Sequence, residues 1–131
     1  MVHGSKPPSD EEWNAFIART VREVNGRWVA SERRGAVIYS KGGMATPRQR
    51  NQLRKLSLDH GHIPTLVLMS DSRFARGVAT AMGWLVPSLK NFHALSLSQV
   101  DDAAALLTPI GSEQKEFKCT LAELVSKVEA E

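Results

Sequence analysis

The sequence predicts a single α/β domain: a mainly parallel sheet of three to four strands with βα crossovers, and extra helices at the N- and C-terminal ends. Three observations carry that reading. Short apolar runs at residues 36–40, 63–69 and 89–95 alternate with longer segments whose apolar residues recur at helical spacing. Strands separated in this way need crossover connections, which are right-handed in almost every known case. Residues 65–69, Thr-Leu-Val-Leu-Met, do not alternate apolar with polar, as expected of a strand covered on both faces. Finally, 131 residues with 42% apolar content suit one core.

Residues 1–8 contain Gly, Ser and two prolines and read as a flexible N-terminus, leaving a single domain over 9–131. Ser9 and Glu12 form a capping box. Trp13, Phe16, Ile17, Val21 and Val24 then share one helical face until Asn25-Gly26 ends the helix. Residues 27–35 are ambiguous between a short edge strand at Trp28-Val29 and a turn before the strand at 36–40. Thr46-Pro47 joins a good N-cap to a proline at the first helical position, where its missing N–H is harmless. The helix it opens runs to about His60, with few apolar residues and with Arg48, Arg50, Arg54 and Lys55 at the surface.

After the strand at 63–69, a helix over 72–85 ends at Val86-Pro87-Ser88, and a weaker strand follows at 89–95. Ser96 or Ser98 caps a helix through Val100, Ala103, Ala104, Leu106 and Leu107, stopped by Pro109 and Gly111. Residues 112–118 read as a polar linker, and Thr120 with Glu123 as the capping box of a last amphipathic helix. If the crossover helices share one side, the other face of the sheet must be covered by the N-terminal helix, the C-terminal helix or a second subunit.

Composition narrows the function classes. The formal charge is +3, with eleven Lys/Arg against six Asp/Glu in residues 1–63 and six against eight in residues 64–131. An asymmetry this mild suits solubility or head-to-tail contact as well as it suits a polyanion. The basic helix lacks an aromatic stacking platform or a helix-turn-helix companion, so nucleic acid is not an expected partner. No apolar run approaches the roughly 18 to 20 residues that cross a bilayer. The opening residues lack the layout of a secretion signal, so a cytoplasmic location without membrane contact is expected.

Single residues add little chemistry. The lone Cys119 reads as a packing residue. His60 and His62, with only Asp59 beside them, make a poor metal site, and neither metal nor cofactor is expected. Trp13 and Trp84 occupy apolar helical positions and read as core, whereas an exposed Trp28 would suggest a contact surface.

The most informative stretch is the switch from strand to helix at Ser70-Asp71-Ser72. Such residues ordinarily cap a helix. Two hydroxyls at a helix N-terminus, with Arg73 and Arg76 in its first turns, could also bind an anion or hold a phosphorylated serine. Parallel strands end on one side, so the loop carrying Lys41, Gly42, Gly43 and Thr46 is expected on the same rim. Gly42-Gly43 would let a phosphate or nucleotide approach closely, although the spacing of a Walker loop or dinucleotide fingerprint is missing. Asp71, Ser72 and His93 include the residue types of a hydrolase triad. Adjacent Asp and Ser cannot readily flank one imidazole, however, and there is no nucleophile elbow, so no catalytic residues are expected.

Strand, Met69-Ser70-Asp71-Ser72, a helix with Gly77 and Gly83, and a Trp84-Leu85 exit before another strand together resemble the SpoIIAA-like fold of STAS domains (sulfate transporter and anti-sigma factor antagonist). With Gly42-Gly43 ahead of Gln49-Arg50 and Leu53, the layout is similar to bacterial STAS-like proteins over roughly residues 10–107. The resemblance implies a non-enzymatic regulatory module that binds a protein partner and in some members is gated by phosphate on a serine at a helix N-terminus, here Ser70 or Ser72. A homo-oligomer is a separate expectation, since a second subunit is one way to cover the sheet. Where anti-sigma factor antagonists commonly read Asp-Ser-Ser-Gly-Leu-Gly, this chain has Asp71-Ser72-Arg73-Phe74-Ala75-Arg76. Arg73, Phe74 and Arg76 are therefore expected to form a contact surface of their own. The alternative is a small-anion or nucleotide sensor built on the same rim.

Overall fold

The computed structural model describes residues 1–25, 35–60, 65–86, 89, 91–108 and 111–130. Four parallel strands, β1 (Val2–His3), β2 (Gly35–Ser40), β3 (Thr65–Met69) and β4 (Phe92–Leu95), lie side by side in sequence order. Between them run α1 (Asp10–Asn25), α2 (Pro47–His60) and α3 (Arg73–Leu85). A 3-10 turn (Leu97–Gln99), α4 (Val100–Leu107) and α5 (Gly111–Glu129) follow. Every crossover therefore steps the same way across the sheet, and right-handed connections of that kind place their helices on one face.

Packing agrees with that geometry and with the period-two alternation of side chains along a strand. On one face, Leu66 and Ala36 meet Trp13 of α1, Leu53 and Leu56 of α2, and Met82 of α3. On the other, Val37, Tyr39, Val67, Met69 and Leu95 meet Ala103 and Leu107 of α4 and Leu121 of α5. Leu66 and Val67, adjacent in β3, are both fully buried on opposite faces, which explains why this strand does not alternate. The C-terminal helices supply the cover that the sequence left open among three candidates.

Local chemistry sets several element ends as expected. Ser9 and Glu12 exchange side-chain bonds with each other's backbone N–H at 3.2 and 2.8 Å, opening α1. Thr46 and Gln49 do the same at the start of α2, at 3.2 and 2.8 Å. Gln49 is itself buried, and its Nε2 donates to Pro8 O at 2.9 Å, tying α2 to the entry of α1.

Four expectations are corrected. Residues 1–8 carry an edge strand rather than only a flexible lead: Val2 and His3 pair with Tyr39 and Ser40, and Tyr39 N donates to Met1 O at 2.9 Å. Residues 112–118 are no linker, because α5 runs unbroken from Gly111. Phe117, Leu121, Val125 and Val128 are spaced by four, four and three residues, and this apolar line holds α5 on the sheet. The strand at 89–95 starts only at Phe92. Leu89 instead turns into the core, its N–H donating to Val86 O at 2.8 Å. Trp84 is not core but 82% exposed. Trp28, His62, the Gly26 and Gly61 helix stops, and the strand residues Ile63 and Pro64 lie outside the described residues.

Candidate functional site

Because β2, β3 and β4 run parallel, the residues after their last positions share one edge of the molecule: Ser40 to Gly43, Ser70 to Ser72, and Ser96 to Ser98. Hydrogen bonds join these loops. Ser70 N donates to Leu95 O at 3.0 Å, and Leu97 N donates to Asp71 Oδ1 at 3.2 Å. Gly42 has φ +134°, a conformation that L side chains rarely adopt, and a Cβ built there would lie 3.9 Å from Ser72 Cβ. The loops carrying Lys41-Gly42 and Asp71-Ser72 are thus neighbours.

The candidate residues then divide. Ser72 is the N-cap of α3, with extended backbone (φ −68°, ψ 111°), and its Oγ accepts from Ala75 N at 3.2 Å. Lys41, Asp71, Arg73 and Phe74 are exposed beside it. Ser70 differs: its side chain is fully buried and its Oγ accepts from Ser72 N at 3.2 Å. A phosphate could reach Ser70 only after local opening, so of the two switch candidates the accessible one is Ser72. Arg76 turns back along the helix and donates Nη1 to Ser70 O, which occupies part of its guanidinium.

Other candidates are committed elsewhere. The Thr46 hydroxyl accepts from Gln49 N in the α2 cap, and Gly43 packs on the N-terminal segment, its N–H donating to Gly4 O at 3.2 Å. His93 pairs with Val67 inside β4 rather than sitting at the rim, and no hydrogen bond joins it to Asp71 or Ser72.

Two features of this region escape the sequence reading. One is the end of α3, where Trp84 and Leu85 are 82% and 81% exposed and extend the exposed apolar surface begun by Phe74, itself 72% exposed. The spacing of eleven residues returns Leu85 to the side of the helix that carries Phe74, so part of the signal is present in the sequence. Phe74 is exposed as the contact-surface expectation has it, whereas Trp84 and Leu85 look like any apolar helix end in sequence and stand outward instead. The other is Tyr39, whose hydroxyl donates to Glu129 Oε1 at 3.3 Å, across 90 residues of sequence.

Burial raises the Tyr39 phenol above its usual range, and the charge of Glu129, the bond to it and the charge of Asp71 push the same way. The folded protein therefore holds this proton at alkaline pH where the unfolded chain has released it. Its stabilisation is complete below about pH 10 and is lost as pH rises through the folded value. Tyr39→Phe is expected to flatten the fall of unfolding free energy above about pH 10, read by urea melts at stepped pH. An unchanged slope would place the alkaline sensitivity elsewhere.

Among the described residues no three metal-ligating side chains cluster, and no helix is long and apolar enough to cross a membrane. The chain matches no family model, no curated protein and no solved structure.

Proposed function

We propose that the chain is a non-catalytic regulatory module that works by protein–protein contact through the start and outer face of α3, as the STAS-like resemblance of its sequence implies. One observation carries the reading. Phe74, a large apolar side chain, stands 72% exposed two residues after the Ser72 cap, with Arg73 exposed between them. A large apolar side chain held mostly in solvent gains little from burial on its own chain and is available to anchor an interface. A partner suited to it has an apolar pocket for Phe74 and carboxylates for Arg73.

Phosphate on Ser72 would add close to two negative charges at the positive end of α3, beside Arg73 and across from Lys41. It would also face Asp71, whose carboxylate is held by Leu97 N. The modification would thus change the charge of the contact surface while keeping an acceptor at the cap.

Phe74→Ser is expected to change unfolding free energy by less than about 0.5 kcal/mol and to weaken partner binding at least tenfold. Ser72→Asp keeps a capping oxygen and shifts affinity, whereas Ser72→Ala loses the cap at a cost of about 1 kcal/mol. Quantitative affinity purification with the wild type and the three variants, paired with urea melts, measures both effects. An identical set of partners at identical recovery from all four would overturn the reading. The second reading, a small-anion or nucleotide sensor, draws support from the approach of Gly42 to Ser72. It predicts a raised melting temperature with phosphate or nucleotides.

A further inference from the structure

Between the sheet and α1 to α3 lies a half-open cavity of about 60 Å³, which can take the inner part of a small ligand whose remainder extends toward solvent. Its wall includes Leu53, Leu68, Met82 and Phe92, and among all its lining residues only Trp13 and Arg50 carry polar side chains. Both are donors. Trp13 is 3% exposed, and its Nε1 is the one buried side-chain polar atom among the described residues without a hydrogen-bond partner. Arg50 is half-buried and donates Nη1 to Ala45 O at 2.6 Å, and among the described residues no carboxylate pairs with it.

A buried donor without an acceptor is destabilising, and a half-buried guanidinium without a counter-charge favours an anion beside it. A neutral acceptor would leave the guanidinium without a counter-charge, and a cation would satisfy neither group. A phosphate dianion would leave most of an apolar wall against its hydration shell. We propose that this cavity binds a small monocarboxylate with an apolar body, its oxygens accepting from Arg50 and Trp13 Nε1 and its hydrocarbon lying against Leu68, Met82 and Phe92. The planar fork of arginine matches a carboxylate. The site is separate from the Ser72 and Phe74 surface, and its test reads neither of those residues.

The full chain is titrated with butanoate and hexanoate, and with hexanol, hexylamine and inorganic phosphate for comparison, by calorimetry and by the indole N–H signals of the three tryptophans. Saturable hexanoate binding is expected, at least tenfold tighter than hexanol and without detectable hexylamine binding, together with a shift of one indole signal that Trp13→Phe removes. Arg50→Met is expected to weaken hexanoate at least tenfold and leave hexanol unchanged. Ala79→Leu, which fills the cavity, is expected to abolish both. Should that variant fail to fold, Arg50→Met, at a partly exposed helix position, still decides. Absence of saturable binding, equal affinity for hexanol and hexanoate, or an unmoved Trp13 signal would overturn the proposal. Phosphate binding with the cavity variants unaffected would overturn it equally, by placing the anion on the rim.

Discussion

Gly43→Ala is expected to lower the unfolding free energy by about 3 kcal/mol, one of the largest effects that any single added methyl group can have in this fold. A Cβ at Gly43 would lie 1.9 Å from Lys6 O, 2.5 Å from Lys6 C and 2.8 Å from Gly4 O. All three are backbone atoms, so no side chain can rotate away. The chain must instead move the whole segment that follows β1, and the bond from Gly43 N to Gly4 O goes with it. Pro8 is coupled to the same movement, since it is held by Gln49 Nε2 at 2.9 Å. Gly77→Ala serves as the control of opposite sign. It sits on the exposed side of α3 with nothing within 4 Å of the added atom, and the better helix former should stabilise by about 0.5 to 1 kcal/mol. Urea denaturation of both variants measures the pair. A loss below 1 kcal/mol at Gly43 would mean that residues 4–6 do not pack on this loop.

That contact also shows what a sequence conceals. The Gly42-Gly43 pair was legible as a place where backbone approaches something, and a phosphate was one expectation. What approaches Gly43 is the chain's own N-terminal segment at Gly4 and Lys6, far away in sequence, and no local pattern encodes which backbone will pass there. Caps were legible because they are local: Ser9 with Glu12, Thr46 with Gln49, and Ser72 all act within three residues of themselves. The parallel sheet was legible because crossover geometry leaves few alternatives. α5 was missed in part because its polar residues at 112–118 hid the one apolar line, Phe117 to Val128, that matters once a sheet lies beneath it. At the rim, the neighbourhood of Lys41, Gly42, Asp71 and Ser72 followed from topology, whereas the burial of Ser70 did not. Strand ends look alike in sequence whether the next hydroxyl turns outward or inward.

Leu66→Ala is expected to cost about 2 to 5 kcal/mol. Leu66 is fully buried at the centre of the helix-covered face, in a cluster with Trp13, Leu53, Leu56 and Leu89 drawn from α1, α2 and the segment after α3. These neighbours belong to separate elements anchored to the sheet, and they can close only part of the space a lost isopropyl group leaves. Met69→Ala is the matching deletion on the other face, where Tyr39, Ala103, Leu107 and Leu121 surround it. The side chains point to opposite sides of one strand and share no partners, so their effects should add within about 0.5 kcal/mol. Both faces are nevertheless held by the same hydrogen-bonded β3, flanked by β2 and β4. Neither core can open without releasing the backbone that supports the other, and each variant should therefore unfold in one transition with an unchanged denaturant slope. Two resolved transitions in the Leu66→Ala melt would show that the α4 and α5 layer stays folded when the crossover helices are lost.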